Sequence, residues 1–161
     1  MRDDFKISFN NEEVMFPMYC PDEVEACPEF DEAFVLHIYP RTQNDIVDAV
    51  HKYHEAFENG CLEAGVNLLN IIARTTSNAL AQNSKEPRFL QSKLMHYIEG
   101  LECELHPAGA FYRAITMICG IMESDDYSKA YQAGWELMGM LCAEGNEFAV
   151  AMQEYASIAN N

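Results

Sequence analysis

Three sets of side chains in this sequence have types and spacings that chemistry can use. The first is His51-x-x-His54-Glu55, with Glu58 on the same face. On a helix this places two imidazoles and a carboxylate one turn apart, a fragment that zinc accepts. The helical zinc signature H-E-x-x-H spaces its histidines four apart with Glu between them, and it is absent. Cys103-x-x-His106 is a second two-ligand fragment, and no matching pair completes a four-ligand site. A solvated polar face opposite Val47, Val50 and Phe57 is the preferred reading of the first fragment. No metal and no cofactor are expected.

The second set is the six cysteines, Cys20, Cys27, Cys61, Cys103, Cys119 and Cys142, beside five histidines. A fold can bring any such pair together as nucleophile and base. Cys61, Cys103, Cys119 and Cys142 fall inside helical apolar patterns, where a thiol acts as a small hydrophobe and its pKa rises. Cys20 and Cys27 sit in a loop whose acids disfavour the thiolate. An even cysteine count also admits disulfides, with Cys20–Cys27 the pair to consider. The start, Met1-Arg2-Asp3-Asp4, carries acids where a secretory leader needs bases, so a cytoplasmic setting with reduced thiols is expected. No nucleophile elbow, phosphate-binding Gly loop, dinucleotide fingerprint or EF-hand loop is present. No enzyme is expected.

The third set is Asp22, Glu23, Glu25, Glu29, Asp31 and Glu32, six carboxylates within eleven residues. They belong to a chain of 161 residues with 26 acids against 10 Lys and Arg, a net charge of −16. Residues 1–40 hold ten of those acids and only two bases. The eight bases after Pro40 are scattered singly. Nucleic-acid binders displace counterions with clustered Lys and Arg, so direct DNA or RNA binding is not expected. Anionic membrane surfaces are disfavoured likewise. Solubility explains part of such a charge. A basic protein surface is the partner the field would attract, with Val24, Phe30 and Phe34 as apolar anchors inside a polar rim.

The elements that must position these groups can be read from periodicity. Phe5, Ile7 and Phe9 alternate with polar residues, Asn10-Asn11 suits a tight turn, and Val14, Phe16 and Met18 alternate again. Phe34 to Tyr39 reads as a third strand, after an acidic loop from Pro21 to Glu32. From Thr42 the pattern is helical. Thr42 and Asp45 resemble a capping box, and a helix should run to Asn59-Gly60. Further helices are expected over about 61–82, from a Ser84 cap through Pro87 to His106-Pro107, over about 108–122, from Ser124-Asp125-Asp126 to Gly145, and from an Asn146 cap onward. The fourth of these is apolar nearly all round and should be central. The longest apolar stretch, Ala114 to Met122, falls far short of the roughly 20 residues a bilayer span needs.

The expected fold is therefore α+β but mainly α: a small N-terminal antiparallel sheet of two or three strands, then a bundle of about six helices. One domain over 1–161 is expected, divided into an acidic β-rich front (1–40) and a helical part (41–161). Segment 63–73 also aligns with 132–142, sharing an Ala-Gly step. Either a helical-hairpin unit is duplicated, or two core helices converged on one packing code, and the second reading is preferred. The Tyr127, Tyr131, Trp135 and Met138 stripe reads as core before pocket lining.

In size, acidity and lack of catalytic motifs the chain is of the physical type of small inhibitors such as phage anti-defence and immunity proteins. That implies a non-enzymatic acidic module that inhibits a basic or nucleic-acid-handling protein, acting as a nucleic-acid mimic. Its binding residues would be Asp22, Glu23, Glu25, Glu29, Phe30, Asp31 and Glu32. The first alternative is a helical-repeat-like adaptor with an apolar groove; the second is a Cys-His or metal-dependent enzyme. A homodimer through an outward stripe of Phe148, Met152 and Tyr155 is a further expectation.

Overall fold

The computed structural model of the chain describes residues 6–9, 12–81, 87–121 and 125–159. These hold seven helices: α1 (Pro28–Ile38), α2 (Gln43–Glu58), α3 (Leu62–Ala81), α4 (Pro87–Cys103), α5 (Pro107–Ile118), α6 (Tyr127–Ala143) and α7 (Glu147–Ala159). The fold is a mainly helical bundle, which corrects the expected α+β class with its N-terminal sheet. The decisive segment is 34–39. Its aromatic and β-branched run reads as strand, yet it lies in α1 up to Ile38, with Tyr39 as the C-cap. Pro28 stands at the first helical position and Glu29 and Asp31 face the positive end of the helix. Phe30, Ala33 and His37 recur at helical spacing and are the buried face. The acidic segment is likewise not one loop, because Pro21–Glu23 forms a single 3-10 turn and Pro28 already begins a helix.

Ahead of the helices, residues 6–9 and 12–15 pair as a short antiparallel ribbon with Ile7 opposite Val14. Four residues a side make no layer of a fold, and such a ribbon depends on what it packs against. The Asn10-Asn11 turn and the Ser84 cap lie outside the described residues.

Helices α2 to α7 form three hairpins, α2–α3, α4–α5 and α6–α7, with one turn chemistry. Each turn has three residues whose middle member has positive φ: Gly60 (99°), Leu105 (57°) and Gly145 (81°). The third residue returns its N–H to a carbonyl five residues back. Those bonds are Cys61 to Ala56, His106 to Leu101 and Asn146 to Leu141, each 2.9 Å. This is the Schellman closure of a helix C-terminus. The third residue then caps the next helix in two hairpins. His106 Nδ1 accepts the Ala108 N–H (3.2 Å), and Asn146 Oδ1 accepts those of Phe148 (3.1 Å) and Ala149 (3.2 Å).

Consecutive helices pack on one another, and the second helices of the hairpins, α3, α5 and α7, also touch in a row. The central member, α5, buries Phe111, Tyr112, Ala114, Ile115, Thr116 and Ile118. Close approach of α6 to α5 depends on Gly134. A Cβ there would lie 3.0 Å from the Ala114 carbonyl oxygen and 3.0 Å from the Ile118 nitrogen. The 63–73 and 132–142 segments are thus the second helix of one hairpin and the first of another, and are not equivalent units. Among the described residues no helix is long and apolar enough to cross a membrane.

Residues 16–19, in neither helix nor ladder, cross the α3–α5–α7 row as a strap. Phe16 and Met18 are fully buried there.

Candidate functional site

The acidic front divides into carboxylates that serve the fold and carboxylates that face water. Glu23 accepts the Cys20 N–H (2.8 Å) and so closes the 3-10 turn. Glu29 accepts from the Cys27 thiol (3.6 Å). Glu32 is paired with Lys52 of α2. Asp22, Glu25 and Asp31 are exposed. Phe30 is corrected as a partner anchor: it is fully buried, its ring 5.5 Å from that of Tyr53. Val24 and Phe34 are half-buried against the core.

A cleft of about 380 Å³ lies between residues 24–27, which follow the 3-10 turn, and the α2–α3 turn. Glu25 and Glu63 line it with Val24, Ala26 and Leu62. The periodicity of the front segment gave no hint of Glu63, which is brought to the site by the hairpin turn at Gly60. Cys27 and Cys61 face the same cleft. Burial pushes the Cys61 thiol up to about 12, which keeps it protonated and a poor nucleophile. All six cysteines are free thiols, including Cys20 and Cys27.

The histidine fragments are placed elsewhere. His51 and His54 meet His96, Lys93 and Tyr97 of α4 around a surface cleft of about 500 Å³. His54 Nδ1 is 2.9 Å from the Tyr97 hydroxyl, a bond that ties α2 to α4. His106 of the Cys103-x-x-His106 fragment spends its Nδ1 on capping α5. No group of three or more His, Cys, Asp or Glu able to hold a metal ion occurs among the described residues. The Tyr127, Tyr131, Trp135 and Met138 stripe grades from exposed Tyr127 to buried Met138. The expected outward seam on α7 is also corrected. Phe148 and Met152 are buried, and the Phe148 ring packs 6.2 Å from Tyr19 and 5.9 Å from Phe111.

A buried polar set, which spacing did not single out, holds the strap. Asn67 Oδ1 accepts the Tyr19 N–H (2.7 Å) and Asn67 Nδ2 donates to the Tyr19 carbonyl (3.0 Å). Asn70 Nδ2 donates to the Phe16 carbonyl (2.9 Å), and the Tyr112 hydroxyl to that of Pro17 (3.0 Å). Asn67 Nδ2 also donates to the Tyr53 hydroxyl (3.1 Å), which lies 3.1 Å from His37 Nδ1. The sequence signal was two asparagines three apart on the apolar face of α3, where an unbonded amide would cost about 1–3 kcal/mol.

No protein-family model, curated protein or solved structure matches this chain.

Proposed function

We propose that this chain is a non-enzymatic protein-binding module whose acidic front captures, and thereby inhibits, a basic protein in the cytoplasm. The observation that carries the reading is the cleft lined by Glu25 and Glu63, with Asp22 and Asp31 exposed on the same acidic segment. A Lys or Arg side chain entering it would lay its aliphatic stem on Val24, Ala26 and Leu62 and its cation between carboxylates. A partner surface that normally holds nucleic acid has the required charge.

The test compares two quadruple variants of equal net charge. One is Asp22→Asn, Glu25→Gln, Asp31→Asn and Glu63→Gln; the other is Glu99→Gln, Glu104→Gln, Glu136→Gln and Glu144→Gln. The probe is a lysine-rich peptide at 50 mM salt. The front variant should bind at least tenfold more weakly than the native chain, and the control within about twofold. Equal loss in both would reduce the effect to net charge and remove the front as a site.

A second reading, the helical adaptor, is favoured by the three hairpins of like turn chemistry. Arrays of stacked helical pairs present a concave face to their partners. In this chain the second helices, α3, α5 and α7, form such a row, and residues 16–19 lie on it.

A further inference from the structure

We propose that the α3–α5–α7 face is a groove for an extended apolar peptide with basic residues after its motif, and that residues 16–19 are its built-in competitor. This rests on the adaptor reading above. The bonding pattern is the first argument. The carbonyls of Phe16, Pro17 and Tyr19 and the N–H of Tyr19 are all met by side chains of α3 and α5. Such bonds read main chain, so they accept any extended peptide whose side chains fit. Any buried main chain needs partners; here all of these come from side chains of the row and none from a neighbouring strand.

The side-chain demands define the ligand. Phe16 and Met18 point into the core and are fully buried, while Pro17 has no N–H to satisfy. Tyr19 packs edge-on against Phe148 and His106, each 6.2 Å away. The motif is therefore aromatic, proline, aliphatic or Met, aromatic. Charge sets the preference beyond the motif. Burial pushes the Tyr19 phenol up to about 12, and Glu147 of α7 and Glu63 of α3 add to it; Glu63 also lines the cleft that faces residues 24–27. These two acids belong to the helices and stay when the strap leaves. A ligand running in the strap's direction would set its next residues beside them, where Lys or Arg is favoured.

Vacancy of the groove is costly, because Asn67 and Asn70 are fully buried and would lose their partners. Exchange is then the way in, with the strap leaving as the ligand enters. The strap is tethered to α1 only through residues 20–27, a 3-10 turn and bends at the surface.

The probe is a fluorescein-labelled peptide, Val-Met-Phe-Pro-Met-Tyr-Lys-Lys, read by anisotropy. It is offered to the full chain and to the full chain carrying Phe16→Ala and Met18→Ala. The weakened strap should raise affinity at least tenfold. Adding Glu63→Lys and Glu147→Lys should lower it at least tenfold, but not for the peptide ending in Ala-Ala. A folded weakened-strap variant that binds no better than the native chain overturns the proposal. Should that variant unfold, hydrogen exchange on the native chain decides. The Tyr19 amide should exchange at least tenfold faster than the slowest amides of α5 and faster still with excess peptide. Equal protection means the strap leaves only on global unfolding, which overturns the proposal. Peptide binding that leaves Tyr19 exchange unchanged overturns it too, while sparing the adaptor reading. A concentration-dependent dimer that trades straps between copies overturns the assigned partner.

Discussion

Burial pushes the His37 imidazole from its ordinary 6.5 down to about 4, and the Arg74 guanidinium nearby opposes a second positive charge. The Asn70 side chain acts weakly the other way. His37 is 6% exposed and its Nδ1 lies 3.1 Å from the Tyr53 hydroxyl, so the folded chain holds it neutral. Proton uptake by the two states sets the sign of the linkage. The unfolded chain takes up this proton as pH falls through about 6.5, the folded chain only near 4. The contribution of neutral His37 is complete above pH 6.5 and is lost progressively between 6.5 and 4. Its size is on the order of 3 kcal/mol. Urea unfolding of the native chain and His37→Gln at pH 7, 5.5 and 4.5 checks this, because carboxylate titration is common to both. The native chain's advantage should shrink at each step down. A gap independent of pH would show that burial does not set the protonation of His37. Phe30 belongs to the same scale. Its apolar type among carboxylates suggested an anchor, whereas helical spacing from Ala33 and His37 put it in the core.

At the scale of elements, the three hairpin turns are one chemical solution with one odd member. Gly60 and Gly145 take positive φ without cost, while Leu105 takes it at φ 57°. For an L residue with a Cβ this conformation costs about 1–2 kcal/mol. Leu105 is 90% exposed, so no packing compensates. Leu105→Gly should therefore stabilise the chain by about 1 kcal/mol in urea unfolding. Loss of stability would mean that the α4–α5 turn is not built like the other two. Much of this level was legible in the sequence. Thr42 with Asp45, Pro87, Asp126 and Asn146 are capping or first-turn residues where the sequence places them. The strand expected over 34–39 failed for a physical reason. A six-residue apolar run fits either period, and the deciding signals, Pro28 and the first-turn acids, lay upstream of it. The repeated hairpins were hidden as well. They share turn geometry and packing positions rather than residues, with Gly, Leu and Gly at the one position that defines them.

At the scale of the whole molecule, 26 acids face 10 bases, so Lys and Arg can match at most ten of the acids one to one. Lys52–Glu32, Arg113–Glu102 and Lys129–Asp126 are ion pairs near the surface, of the kind that contributes about 0–1 kcal/mol each. Self-repulsion of the net charge then outweighs local attraction in the folded state. Folding concentrates that charge, so screening should favour the compact form. Raising salt from 10 to 100 mM shortens the screening length from about 30 Å to about 10 Å. The midpoint of thermal unfolding should rise by a few degrees over that range, on the order of 1 kcal/mol for a domain of this size. A molecule held together by its ion pairs would show the reverse. The same salt steps should weaken capture of a lysine-rich peptide by the acidic front, since counterions compete for Asp22, Glu25, Asp31 and Glu63. Stability and binding are thus expected to respond to salt with opposite signs. That opposition separates a site from mere solubility. If salt stabilises the chain while binding is indifferent to it, the front carboxylates keep the molecule apart from its neighbours and recognise nothing. If both move as expected, the repulsion that costs the folded chain stability is also the field that draws a basic partner to the cleft.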